Sequence, residues 1–148
     1  MPIYTYEYPH PAVTVDVAVF TQQNNQLKLL LIQRAHDPYK GKWALPGGFV
    51  DIDEDLDNAA RRELKEETGI SVGDIEQLHT YGAPDRDPRE RVITVVYTTL
   101  ISSNEVQLQP ASDAAAAEWF DINQLPELAF DHPKIIKFAC EKILSRLN

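Results

Sequence analysis

The sequence is poor in cysteine and in basic residues, and both shortages narrow the choice of function. A single cysteine excludes an internal disulfide and a zinc site made of several thiolates. The chain has only 14 lysine and arginine residues but 23 aspartate and glutamate residues, so its formal net charge is −9. This acidic balance disfavours a nucleic-acid backbone or an anionic membrane surface as a partner. The chain also has no run of about 18 apolar residues and no secretion leader, so we expect a cytoplasmic protein.

The length and the hydrophobic content indicate one globular domain. The chain has 148 residues, of which 43% are hydrophobic and 25% are charged, and these are ordinary values for a soluble domain. No repeat, low-complexity tract or linker divides it. We therefore expect residues 1–148 to form a single domain.

Periodicity along the chain predicts more strands than helices. Residues 12–20 alternate with valine at every second position, and the turn sequence QQNNQ separates this strand from apolar residues 27–34 in a predicted hairpin. Residues 91–101 are almost all β-branched or aromatic, which favours a strand. Helical spacing covers residues 56–68, closed by a glycine, and residues 132–148. The AAAAEWFDI segment is ambiguous, because its alanines favour a helix and its aromatic pair a strand. The fold class predicted is mixed α+β.

The acidic segment GFVDIDEDLDNAARRELKEETGI carries the main functional signal. At roughly 100° per residue, Glu63, Glu66 and Glu67 share one helix face. Ala60 points to the same side, which places the carboxylates on the inward edge, where unpaired charges are costly. A solvated acidic face is the usual alternative. Arg62 can pair with Glu66 but cannot balance three carboxylates, whereas Mg²⁺ or Mn²⁺ prefers oxygen ligands. The helix therefore predicts a divalent-metal site.

This segment resembles the Nudix box at every position of its pattern. Gly48 is followed after five residues by Glu54 and after seven more by the RELKEETGI sequence. The segments AVTVDVAVF, KGKWALPGGFVD and DPRERVITVVY resemble the ADP-ribose pyrophosphatase branch and the related Nudix regulators of NAD metabolism. The resemblance covers about residues 10–122. It implies a Nudix fold, with a mixed sheet sandwiched between helices and a loop–helix–loop motif, and Mg²⁺-dependent hydrolysis of a nucleoside diphosphate linked to another group.

The resemblance also implies which residues hold the metal. Glu63 and Glu67 correspond to the metal ligands, and Glu66 assists them or binds a further ion. The backbone carbonyl of Gly47 would be another ligand, because a glycine backbone can approach the metal closely.

Other catalytic roles follow from the same resemblance. Arg62 would orient the glutamates, and Glu54 would hold the loop against the helix. The family often takes a general base from the loop before the last core strand, where this sequence has Asp113. Glu118 is a weaker candidate for the base, and an ordinary loop or cap residue is the alternative for Asp113.

Substrate contacts are expected outside the box. Arg86, Arg89 and Arg91 stand at the entrance of a predicted strand, where guanidinium groups could clamp phosphates. Arg89 and Arg91 are expected to alternate along one face of that strand. The alternative is a solvated turn with incidental charges. Trp43 and Phe49 could stack an adenine, although Trp43 is equally suited to anchoring the core. The four histidines suggest no ligand set, and the expected role of His132 is structural.

Three functions share this box. The leading one is hydrolysis of ADP-ribose to AMP and ribose 5-phosphate, with Mg²⁺ as cofactor and Mn²⁺ as an alternative. The second is a regulator that binds ADP-ribose without cleaving it, although the intact box and the acidic charge disfavour a DNA-binding regulator. The third is removal of oxidised nucleoside triphosphates. The partner expected is a nucleoside diphosphate-linked small molecule, and the aromatic N-terminal arm IYTYEYP suggests a homodimer.

Overall fold

The first strand is the longest of the described strands and lies at the centre of the sheet. The computed structural model describes residues 3–102, 107–108 and 114–147. Within these ranges the elements are β1 (Ala12–Gln23), β2 (Gln26–Arg34), β3 (Trp43–Ala44), β4 (Gly47–Phe49), α1 (Leu56–Thr68), β5 (Glu76–Tyr81), β6 (Val92–Ile101), β7 (Ala114–Asp121) and α2 (His132–Leu147).

The sheet is mixed, as the sequence predicted. Its main order is β3-β2-β1-β6-β5, while β4 also pairs with β1 and β7 with β2. Strands β1 and β6 run parallel, and the other pairs are antiparallel. The predicted hairpin is confirmed, with Asn24 and Asn25 at φ 53° and 64° in its two-residue turn. Positive φ at both positions matches the twist of the flanking strands, and asparagine tolerates it well.

One face of the sheet is covered by α1. Val15, Val17 and Val19 of β1 are fully buried there, in one cluster with Ala60 and Leu64 of α1. These valines reach the same face because strand side chains alternate in direction. The predicted helix is confirmed over Leu56–Thr68.

The opposite face of the sheet is covered by α2. Phe20 and Leu29 are buried against Ile135 and Ile136 of that helix. The two helices therefore enclose the sheet between them, which confirms the expected sandwich. None of the described helices is long and apolar enough to cross a membrane.

The ambiguous alanine segment is a strand. Residues Ala114–Asp121 form β7 and pair with β2, with Trp119 opposite Leu30. Tertiary pairing thus overrides the helix propensity of the alanines, because β2 offers a free edge along its length.

Candidate active site

A cleft opens where β1 and β2 separate. The two strands are paired only near their turn, up to Phe20 opposite Leu29. Further along, β1 pairs with β4, with Asp16 opposite Gly47, whereas β2 pairs with β3 and β7. The cleft has an inner chamber of about 110 Å³ and an outer part of about 480 Å³. Residues from β2, β4 and α1 line both parts, so the two spaces adjoin.

Two of the three box glutamates face this cleft directly. Glu67 is 8% exposed and Glu63 is partly buried, beside the fully buried Leu64. The expectation that Glu66 lies equally inward is wrong, because 48% of its side chain is exposed. A position three residues after Glu63 sits toward the edge of the buried stripe, and the outer part of the cleft reaches it there.

Strand β4 passes so close to β1 and to α1 that two of its positions require glycine. A Cβ on Gly48 would lie 2.5 Å from the carboxyl carbon of Glu63. A Cβ on Gly47 would lie within 3 Å of the Val15 carbonyl oxygen and of Asp16. The backbone N–H of Gly47 also donates a 2.7 Å hydrogen bond to Oε1 of Glu67. The pair of glycines therefore lets two carboxylates rest against a strand backbone.

Arg62 organises the acidic side chains around it. Its Nε and Nη2 donate to the two carboxylate oxygens of Glu54 at 2.6 and 2.9 Å. Its Nη1 donates to Glu63 at 2.9 Å and to Glu66 at 3.3 Å, which is the predicted i,i+4 pair. Its Nη2 also reaches the carbonyl oxygen of Phe49 at 3.2 Å. Arg62 therefore joins the loop to the helix and orients Glu63.

The electrostatics of this group are unbalanced. Burial raises the pKa of the Glu63 carboxyl, and the charge of Arg62 opposes that rise. The hydrogen bond from Arg62 lowers the pKa of Glu54. The carboxylates of Glu54, Glu63 and Glu66 share the single guanidinium of Arg62, so negative charge is in excess in this group. A bound cation would relieve this repulsion.

The donor set fits Mg²⁺ or Mn²⁺ in the manner typical of phosphate-processing sites. Among the described residues, no three acidic, histidine or cysteine side chains are gathered closely enough to enclose a metal alone. Such ions are commonly held by one or two carboxylates, with water and substrate phosphates completing the octahedron. Glu63 and Glu67, both packed against the Gly47–Gly48 backbone, supply oxygen ligands of this kind.

The three predicted arginines have different positions. Arg89 lines both parts of the cleft and forms a bidentate pair with the buried Asp87. Arg86 lines the inner chamber and forms a bidentate pair with Asp131 at 2.8 and 2.9 Å. Arg91 is exposed and donates to the carbonyl of Gly82, and it is not among the residues lining either part.

The expectation that Arg89 and Arg91 alternate along one strand face is wrong. Strand β6 begins at Val92, after both of them, and of these two arginines Arg89 lines the cleft while Arg91 does not. The bidentate bonds to Asp87 hold the Arg89 guanidinium in that position.

Arg34 is a cleft residue that sequence reasoning missed. It ends β2, lines both parts of the cleft, and its Nε donates to the carbonyl of Pro38 at 2.7 Å. Its Nη groups form no hydrogen bond with the described residues. Burial and the nearby Arg89 lower the pKa of Arg34. The available signal was a charged residue directly after the apolar run of β2.

The two predicted aromatic platforms also separate. Phe49 is 41% exposed and lines both parts of the cleft, with the Arg89 guanidinium 5.2 Å from its ring centre. Trp43 instead packs edge-on against Phe120 within the α2-side core, which is the core-anchor alternative. Phe130, which was not predicted, lines the inner chamber beneath Arg34, whose guanidinium is 4.9 Å from its ring centre.

The candidates for the general base are less well placed. Asp113 lies outside the described residues. Glu118 is exposed on β7 and is absent from the residues lining the cleft. The base assignment therefore stays a prediction.

Comparison with known proteins places these features in a wider context. Residues 10–139 match the NUDIX domain profile. The chain is 48% identical over 130 residues to an ADP-ribose pyrophosphatase of Methanocaldococcus jannaschii, covering 88% of this chain and 73% of that protein. It is 42% identical to an ADPR responsive transcriptional repressor, NtrR, of Acinetobacter baylyi, covering 96% of this chain but only 56% of that protein. The NUDIX domain of Shewanella oneidensis NrtR, solved with ADP ribose, superimposes with a TM-score of 0.86 at 38% identity, over 92% of this chain and 90% of that one.

Proposed function

Because this chain belongs to the Nudix family, we propose that it is a pyrophosphohydrolase that cleaves ADP-ribose into AMP and ribose 5-phosphate. The observation that carries this proposal is the packing of Glu63 and Glu67 against the Gly47–Gly48 backbone at the edge of the cleft. The name of the M. jannaschii relative supports the substrate.

The metal proposed is Mg²⁺, with Mn²⁺ as the alternative. Glu63, Glu67 and the carbonyl of Gly47 would hold it, and Glu66 stands at the outer edge for a further ion. When bound, the ion would neutralise the diphosphate and lower the pKa of the attacking water. Arg62 keeps the Glu63 carboxylate in position before and after the reaction through its bonds to Glu54 and Glu63.

The remaining residues of the cleft would hold the substrate. Arg34 and Arg89 line both parts, so a diphosphate between them would meet the Nη groups of Arg34, which form no hydrogen bond within the described part of the chain. Charge-assisted bonds of this kind are about twice as strong as neutral ones. Phe49 offers an exposed ring on which the adenine can stack. Water then adds to one phosphorus while the bridging P–O bond breaks.

The test is a panel of substrates with Mg²⁺. ADP-ribose, NADH, a dinucleoside polyphosphate and oxidised dGTP are each incubated with the protein, and AMP or phosphate release is measured. We expect ADP-ribose to give the highest kcat/KM. A preference for oxidised dGTP by about tenfold, which is 1.4 kcal/mol, would overturn the substrate while leaving the metal site standing.

The second candidate is ADP-ribose sensing without cleavage, which the repressor relative favours. The same panel separates the two functions when binding is measured beside turnover. Binding of ADP-ribose without release of AMP in the presence of Mg²⁺ or Mn²⁺ would select the sensor. The intact set of Glu63, Glu66 and Glu67 favours the enzyme.

We also propose a homodimer formed through the N-terminal arm in a cytoplasmic protein. Ile3 and Tyr8 are 91% and 70% exposed, and Ile52 is 75% exposed on the nearby loop. Tyr6 and Phe49 line a shallow surface pocket together with Ile52. Exposed apolar groups in this number are typical of an interaction surface. A monomeric mass in solution at micromolar concentration would contradict the dimer.

A further inference from the structure

The inner chamber adjoins the carboxylates of the proposed metal site, but its walls carry different chemical groups. Its walls include the buried side chains of Asp16 and His132, which come from β1 and from the start of α2. A space of about 110 Å³ exceeds several times the 10–15 Å³ needed for one water molecule. It therefore has room for a small chemical group, and Glu67 and Gly47 lie on its boundary with the metal site.

The protonation of His132 is set by the backbone. Its Nδ1 accepts a 3.0 Å hydrogen bond from the backbone N–H of Leu45, so the proton of the neutral ring is on Nε2. The residue is only 3% exposed. Its Nε2 is 3.8 Å from Oδ1 of Asp16, which is longer than a hydrogen bond. The Nε2–H donor thus lies beside a carboxylate oxygen without bonding to it.

Asp16 presents one oxygen in the same way. Its Oδ2 accepts from the hydroxyl of Thr94 at 2.5 Å, while its Oδ1 lies beside Gly47 and faces His132. A charged oxygen and an N–H donor, both buried and 3.8 Å apart, form a matched pair for a bridging group. The bridging group must accept from His132 and donate to Asp16 at once.

A hydroxyl has both properties, whereas a phosphate oxygen has only one. A hydroxyl accepts and donates, but an ionised phosphate only accepts and would be repelled by the Asp16 carboxylate. Arg86 and Arg89 do not reverse this preference, because Asp131 and Asp87 each bind one of these guanidinium groups through both carboxylate oxygens. Arg34 lines both parts of the cleft, so the diphosphate that we propose for it lies where the chamber meets the outer part. The chamber therefore suits a sugar hydroxyl.

We infer that the inner chamber holds the terminal sugar of the substrate, and that His132 and Asp16 select it through one hydroxyl group. This inference rests on the proposed function, in which a free pentose ends the substrate beyond the diphosphate. A second nucleoside in place of that sugar would need considerably more room. His132 and Asp16 are therefore specificity residues, and the chamber discriminates against dinucleotides.

The test uses a substitution that removes one hydrogen bond and keeps the other. In His132→Asn the amide oxygen can still accept from Leu45, while the Nε2 donor is lost. The wild type and this variant are compared on ADP-ribose, on ADP-glucose and on ADP methyl ester, which keeps the adenosine and the diphosphate but has no terminal sugar. Both kcat/KM and the Kd from calorimetry are measured. Asp16→Asn, which keeps its shape beside Thr94, is the second variant.

The expected result is a loss confined to the substrates that carry a terminal sugar. His132→Asn should lower kcat/KM and weaken binding for ADP-ribose by about tenfold, and leave the methyl ester unchanged. Equal losses on the methyl ester, or no loss on ADP-ribose in either variant, would overturn the inference. If His132→Asn does not fold, Asp16→Asn decides by the same comparison.

The same data distinguish failure of the inference from failure of the proposed function. A wild-type protein that prefers ADP-glucose, or that binds ADP-ribose without cleaving it, contradicts the proposed activity. In either case the ratio of Kd values between the sugar compound and the methyl ester still reports on the chamber. A ratio that collapses in His132→Asn supports the inference, and a ratio that does not change contradicts it.

Discussion

The backbone N–H of Gly47 donates a 2.7 Å hydrogen bond to Oε1 of Glu67, joining residues 20 positions apart. This bond connects strand β4 to helix α1 at the edge of the cleft. It fixes the position of the Glu67 carboxylate, which is one of the proposed metal ligands. The Glu67 side chain therefore has two roles, since it links β4 to α1 and is a proposed ligand of the metal.

Glu67→Gln should remove activity without unfolding the protein. The amide oxygen can keep the bond to Gly47, but a neutral ligand no longer neutralises the metal. We expect kcat to fall by about 10² to 10³-fold, as when one preorganised electrostatic group is lost. The melting temperature without metal should be unchanged or higher, because one repelling charge is gone. Glu66→Gln, at the half-exposed position, should lose less, and wild-type turnover in Glu67→Gln would contradict the site.

Substitution of Gly47 and of Gly48 by alanine should impair different properties of the protein. At Gly47 the new Cβ meets the rigid Val15 carbonyl, so we expect destabilisation of about 1 to 3 kcal/mol. At Gly48 it meets the end of the Glu63 side chain, which can move aside, so activity should fall more than stability. Gly73→Ala is the matched control, since nothing lies within 4 Å of its Cβ. The free energy of unfolding in urea and the turnover rate are measured for all three variants. Equal values in the three variants would contradict the close packing of β4 described above.

Local periodicity predicted the elements on which the site is built. Alternation along β1 placed Val15 and Val17 on one face, and the helical spacing ending at Gly69 placed α1 correctly. Gly69 adopts φ 80° and its N–H bonds to the carbonyl of Lys65, as the helix end required. These features depend on residues that are close together in the sequence, so they can be predicted from local sequence patterns.

The inner chamber could not be predicted in the same way, because it depends on contacts between distant residues. His132 meets Leu45 across 87 positions, and Asp16 meets Thr94 across 78. The sequence did hold one signal, since Asp16 interrupts an otherwise apolar strand with a charge. A charge buried in a strand is costly unless it has a partner or a function.

Stability should depend on pH through His132. Burial lowers its pKa in the folded state, and the nearby Arg86 and Arg34 act in the same direction, against Asp16 and Asp131. The unfolded state, with a pKa of about 6.5, therefore binds more protons just below that pH. The free energy of unfolding should rise with pH in this window, and the contribution of His132 should be lost as pH falls.

Urea unfolding of the wild type and of His132→Asn between about pH 5 and 7.5 checks this dependence. The wild type should lose stability more steeply toward low pH than the variant. Parallel curves would show that another group causes the dependence.

We expect Arg34, and not Arg91, to contact the phosphates of the substrate. Arg91 is exposed and donates to the Gly82 carbonyl, whereas Arg34 lines both parts of the cleft and its Nη groups have no hydrogen bond to any residue that the structure describes. Arg34→Ala should raise the activation free energy of kcat/KM by about 1.5 to 3 kcal/mol, as for a charge-assisted hydrogen bond. Arg91→Ala should stay close to the wild type and serves as the matched control. Because Arg34 also packs over Phe130, the melting temperature is measured on each variant. A larger loss in Arg91→Ala than in Arg34→Ala would return the phosphate contact to the turn before β6.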